Sequence, residues 1–256
     1  MTEEAYVPPE DSPGESLTDE VTPGWLVPAV LGLSIVICML GQFLIIRLAD
    51  PTPDGSHVFY PPMHDQLGDP PEYITAKFYA MIQNNAVGFA VLGTVLMALV
   101  GAVIGVAKEN TVKGLAAGLV GGLILGAAGG ALGYVVEGNL AQFAVDGLVK
   151  TFAIWLPVAV SLALVPGIIA VVCGLTKSIP NAVITSVIGG ALGTAAYVLL
   201  AATMFIGETA MLCPFDFGIR FLAFTGLGIS TGSGVCLLVF LDKSSNKPAA
   251  AEVEAA

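Results

Sequence analysis

From Trp25 to Leu241 the chain sets six long apolar runs between short polar interruptions. The runs fall at about 25–46, 85–106, 114–136, 152–174, 182–206 and 219–241. Each is near twenty residues, the length of helix that crosses a hydrocarbon core of about 30 Å. Strands of a membrane barrel alternate polar and apolar side chains over about ten residues, and these runs do not. A helix pairs its own backbone N–H and C=O groups, as hydrocarbon demands. The pattern predicts an all-α integral membrane protein, a bundle of about six transmembrane helices set in a lipid bilayer.

The third run carries a second pattern inside the first. It reads GLAAGLVGGLILGAAGGALGY, with Gly114, Gly118, Gly122, Gly126 and Gly130 at every fourth position. Glycine in a helix interior costs about 1 kcal/mol relative to alanine, so the repetition needs a compensating gain. Burying leucine between helices gains little in a bilayer, because lipid tails are equally apolar. Small residues instead let two backbones approach. The stripe therefore predicts glycine-zipper packing, with partner motifs at Gly101 and Gly105, Gly189 and Gly193, and Gly228 and Gly232. The chain supplies enough partner faces for packing within one subunit; the other reading is a homo-oligomer or a larger membrane complex. The stripe resembles glycine-zipper segments in general, a pattern that carries no activity with it.

The pentapeptide GGALG occurs twice, at 129–133 and 189–193. Each copy follows an apolar run and a tight lysine-containing loop, and ALV recurs in the preceding runs at 98–100 and 163–165. Helical hairpins of runs two and three and of runs four and five are thus candidates for an internal repeat, as transporters often contain.

Composition agrees with the membrane reading. Of 256 residues 55% are hydrophobic and 11% charged, with mean hydropathy +0.86. Soluble domains carry roughly 25% charged residues. The net charge of −11 resides mostly in exposed segments, above all the N-terminal tail 1–24, which has seven acidic residues and no basic one. Such a tail reads as disordered and argues against nucleic acid. A secretory signal has a basic start and a shorter apolar core, so run one reads as a retained anchor. The rest divides into a transmembrane domain 25–241 containing a polar loop 47–84, and a short C-terminal tail 242–256.

Six spans put both termini on one side. That side carries Lys108, Lys113, Lys177, Lys243 and Lys247, against Arg47, Lys77, Lys150 and Arg220 opposite. The excess of one favours cytoplasmic termini in a cell (inner) membrane under the positive-inside rule. The loop 47–84 holds both histidines, five carboxylates and six prolines, and its part from 71 to 82 predicts a short helix lying at the interface.

Candidate chemistry is thin. Thr225 to Gly234 reads TGLGISTGSG inside the sixth run, and Pro166-Gly167 sits in the middle of the fourth. Transporters place ligands near the midplane, where broken helices and hydroxyls line a cavity. Pro166, Ser230, Thr231 and Ser233 are accordingly the candidate substrate or ion site. The competing reading has the hydroxyls packing and bonding to their own helix. His57 and His64, spaced as HVFYPPMH, match no zinc signature, so no metal is expected. Cys38, Cys173, Cys213 and Cys236 lack metal-like spacing. No catalytic residues and no cofactor are indicated. The leading expectation is a small-solute or ion transport component; the alternative is a structural or assembly subunit of a membrane complex. A water-filled polar cavity between spans four and six would favour the first, and hydroxyls buried dry the second.

Overall fold

In the computed structural model of the protein, residues 22–49, 71–141, 147–204, 211, 212, 214 and 216–245 are described. They form six α-helices and no strand: α1 Leu26–Ala49, α2 Pro71–Ala107, α3 Thr111–Leu140, α4 Gly147–Val172, α5 Ile179–Met204 and α6 Phe217–Ser245. All six are long and apolar enough to cross a membrane. The acidic tail up to residue 21, the histidine-bearing segment 50–70 and the tail beyond 245 lie outside the described residues.

One element differs from the sequence pattern. Residues 71–84, read as loop and interfacial helix, are the opening turns of a single 37-residue helix, α2. Pro71 starts it, where a missing N–H is no loss. No further proline follows within α2, and Asn85 keeps its side chain on its own helix, donating from Nδ2 to the Met81 carbonyl at 2.9 Å. Polarity alone ended the predicted run; it does not end the helix.

Successive helices run antiparallel. α4 touches α2, α3, α5 and α6, while α1 closes the bundle against α6 and α2. Burial follows this plan: 61% of the most apolar stretch of α4 is buried, against 28% for α3 on the rim. Gly228 and Gly232 of α6 lie against Ile35 and Leu31 of α1, which sets Leu26 and Ser245 at the same end. At the centre, Trp155 of α4 meets Tyr197 of α5 and Phe224 of α6 edge-on, at centroid distances of 5.4 and 5.7 Å. Phe89 of α2 stacks on Phe224 at 6.2 Å. Such aromatic pairs add to burial, and their rings carry four of the six helices into one core.

Two turns on one side share a design. After α4, Leu175 N–H donates to the Ala170 carbonyl at 2.7 Å and Gly174 N–H to Val171 at 3.1 Å. After α2, Asn110 N–H donates to Gly105 at 2.7 Å and Glu109 N–H to Val106 at 3.3 Å. Both are Schellman ends, which require a left-handed residue just past the helix. Gly174 supplies it at φ 76°, Glu109 at φ 53°. Ser178 and Asp216 begin α5 and α6, their side-chain oxygens accepting from Asn181 N–H at 3.3 Å and Ile219 N–H at 3.0 Å.

Candidate functional site

Ser230 and Thr231 have no exposed surface, and Ser233 is partly buried. Ser230 Oγ donates to its own helix at the Gly226 carbonyl, 2.9 Å, and is 3.3 Å from the Gly190 carbonyl of α5. Thr231 Oγ1 donates to Leu227 at 3.0 Å. Ser233 Oγ reaches the Ser230 carbonyl at 3.3 Å and Gly189 of α5 at 3.4 Å. Serine and threonine in apolar helices adopt such back-bonds because the i−4 carbonyl is the nearest acceptor. The interstice beside Ser230, bounded also by Trp155, Tyr197 and Gly193, has no room for a water molecule.

Pro166 is a buried residue of α4. α4 continues as one helix through both Pro157 and Pro166. A methyl group built on neighbouring Gly167 would sit 2.6 Å from Ser186 Oγ and 3.0 Å from the Ala182 carbonyl of α5. The structure thus brings Ser230 and Ser233 onto the α5–α6 seam, while Pro166 is buried in α4 beside Gly167, which meets α5. The groove beside Gly167 is wholly aliphatic, lined by Ile168, Val171, Val172 and Val183 among others.

The five glycines of α3 spaced four apart lie along the seam of α2 and α3. Methyl groups built on Gly114, Gly118, Gly122 and Gly126 would overlap the carbonyl oxygens of Gly101, Met97, Gly93 and Phe89; on Gly130 one would stand 2.5 Å from that of Asn85. Gly101 meets Gly114 in return, and Gly105 lies against Asn110 and Thr111. Gly189 and Gly193 are set on the other side of the bundle, against Gly234, Ser230 and Gly226 of α6.

Four buried polar side chains escaped the sequence reading. Ser34 and Gln42 on α1, and Asn84 and Asn85 on α2, are each at most 2% exposed. Gln42 Nε2 donates to the Met39 carbonyl at 2.9 Å, but its Oε1 accepts nothing. Asn85 Oδ1, both amide atoms of Asn84 and Ser34 Oγ also lack partners. A buried polar group without a hydrogen bond costs about 1–3 kcal/mol. The available signal was local: an amide interrupts the first apolar run at Gln42, and two more stand side by side at the threshold of the second.

At the opening of α6, Arg220 is 8% exposed, with Nη1 donating to the Pro214 carbonyl at 3.0 Å and the guanidinium 5.9 Å from the Phe217 ring centre. Glu137, near the end of α3, accepts from Leu212 N–H at 2.8 Å, and Trp155 Nε1 donates to Met211 at 3.1 Å. These bonds hold residues 211–212 against α3 and α4. Among the described residues no group of three or more histidine, cysteine, aspartate or glutamate side chains is placed to hold a metal.

Six long apolar helices with an aromatic and aliphatic interior define a multi-pass integral membrane protein. Beyond that class, comparison with protein-family models, curated proteins and solved structures finds no match.

Proposed function

We propose that this protein is a structural or assembly element of its membrane, a packed six-helix unit held by glycine-zipper seams, with both termini on the cytoplasmic side. The observation that carries this is the dry α5–α6 seam. A site that passes a solute or ion between α4 and α6 needs hydroxyls facing a polar cavity. Here the hydroxyls of Ser230 and Thr231 are bonded to helix carbonyls, beside an interstice too small for water. The close contact of α2 and α3 along five glycines supports the same reading, because small residues are what let helices associate in lipid. Such a unit serves as a partner within a homo-oligomer or a larger membrane complex.

The test is reconstitution into liposomes, following glycerol by light scattering and cations by entrapped dyes. The expected result is permeability unchanged by the protein, and lower thermal stability in Ser230→Ala and Thr231→Val. A protein-dependent flux abolished by both variants at unchanged membrane level would overturn the proposal and restore transport through α4 and α6.

A further inference from the structure

The α4–α5 hairpin differs from the rest of the chain in charge. Between Asp146 and Glu208 there is no acidic residue, although the whole chain carries −11, and the only charges there are Lys150 and Lys177. Lys177 is exposed on the turn that joins the two helices. Lys113, exposed at the start of α3, stands close enough to Cys173 that its charge acts on the thiol. Lys108 and Glu109, on the turn before α3, cancel in formal charge. This end of the hairpin is therefore positive, with one lysine from each of two neighbouring elements.

The aliphatic groove beside Gly167 runs to that end. It holds about 230 Å³, bounded by α4 from Leu164 to Val172 and by α5 from Ile179 to Val183. Gly167 and Ala182 are buried at its floor, while Ile168, Val172, Ile179 and Val183 are exposed along its rim. Branched side chains have little rotamer freedom on a helix, so the rim is stiff. From Leu164 to Val172 a helix rises roughly 12 Å, less than half of a hydrocarbon core of about 30 Å. A partner's transmembrane helix would run the whole depth and would seek small residues at its contact. The rim offers isoleucine and valine instead, and the groove stops short. An acyl chain descending through one leaflet from a headgroup on this side has the matching reach.

We propose that the α4–α5 groove is a binding site for an anionic diacyl phospholipid, with one acyl chain in the groove and the headgroup phosphate facing Lys177 and Lys113. The lysine ammonium is a point charge on a flexible stem, suited to a phosphate whose position is fixed by the chain below it. A zwitterionic headgroup brings its own cation and gains less from the lysines. The groove thus selects a lipid chain, and the lysines select the charge. This goes beyond the scaffold reading, which rests on the α2–α3 and α5–α6 seams.

Native mass spectrometry of the full chain in detergent, with equal amounts of dioleoylphosphatidylglycerol and dioleoylphosphatidylcholine, would count the lipids that each molecule retains. A basic residue beside anionic lipid contributes about fivefold in affinity, so phosphatidylglycerol should be retained about fivefold or more over phosphatidylcholine. Lys113→Gln combined with Lys177→Gln should abolish that preference, and Lys150→Gln, at the other end of α4, should leave it intact. Val183→Trp fills the groove and should lower retention of both lipids, whereas Leu199→Trp, near the far end of α5, should not. None of the substituted side chains is buried, so the fold is kept, as the melting temperature in detergent would check. Equal retention of the two lipids by the parent would overturn the proposal, as would a Lys150→Gln effect equal to that of the double variant. Val183→Trp retaining lipid like the parent would overturn the groove. Competition by glycerophosphoglycerol, the same headgroup without chains, at equal concentration would overturn the role of the acyl chain. A dimer of the parent that Val183→Trp dissolves would show that a second copy, not a lipid, fills the groove.

Discussion

The two GGALG segments occupy matching places in the bundle. In the first, Gly130 faces back to Asn85 and Phe89 of α2, while Gly129 and Gly133 face forward to Val158 and Ser161 of α4. In the second, Gly190 faces back to Val160 of α4, while Gly189 and Gly193 face forward to Gly234 and Ser230 of α6. Each pentapeptide lies on a helix wedged between its predecessor and its successor, and each hairpin turns through a Schellman end. The difference lies in how the seams are filled. Along α2 and α3 the glycines meet bare carbonyls; along α5 and α6 they meet Ser230, and hydroxyls reach across to Gly189 and Gly190. Close approach alone serves the first seam, and the second adds direction through side-chain hydrogen bonds.

The largest effect should come from breaking the carbonyl-filled seam. Gly122→Leu puts a side chain where Gly93 and Met97 already stand, and overpacking typically costs about 1–3 kcal/mol. Helix propensity improves, so circular dichroism should stay helical while the melting temperature in detergent falls. Leu123 is 53% exposed, and Leu123→Ala should be nearly silent. A Gly122→Leu protein as stable as the parent would show that the α2–α3 contact does not hold the fold.

The turns offer a smaller contrast. A methyl on Gly174 meets nothing within 4 Å, so Gly174→Ala isolates backbone strain and should destabilise by about 1–2 kcal/mol. Glu109→Gly should do the reverse, stabilising by about 1 kcal/mol, because Glu109 holds the same left-handed geometry with a side chain. Thermal unfolding of both, side by side, checks the equivalence; shifts of the same sign would refute it.

The smallest effect belongs to the hydroxyls. Ser230→Ala removes one bond across the α5–α6 seam, and interhelical bonds of this kind average about 0.6 kcal/mol in a membrane protein. A double-mutant cycle would sharpen the contrast, pairing Ser230→Ala with Gly190→Ala and then with Gly122→Ala. Coupling is expected in the first cycle and none in the second, since the seams share no contact.

The number of helices and their apolar character were legible in the sequence, and so was the fourfold glycine spacing on α3. Each is a property of one segment: a bilayer requires about twenty apolar residues per crossing whatever lies beside them. Segment ends were less legible. The run before Asn84 looked polar, yet Asn85 bonds within its own helix and α2 extends to Pro71. Only the tertiary structure decided which neighbour each glycine faces, because facing depends on two helices at once. It likewise set the hydroxyls of Ser230 and Thr231 in a dry seam and left the amides of Gln42, Asn84 and Asn85 unpaired. A polar side chain reads the same in sequence whether its partner is a carbonyl one turn away, a neighbouring helix or nothing, and only packing distinguishes the three.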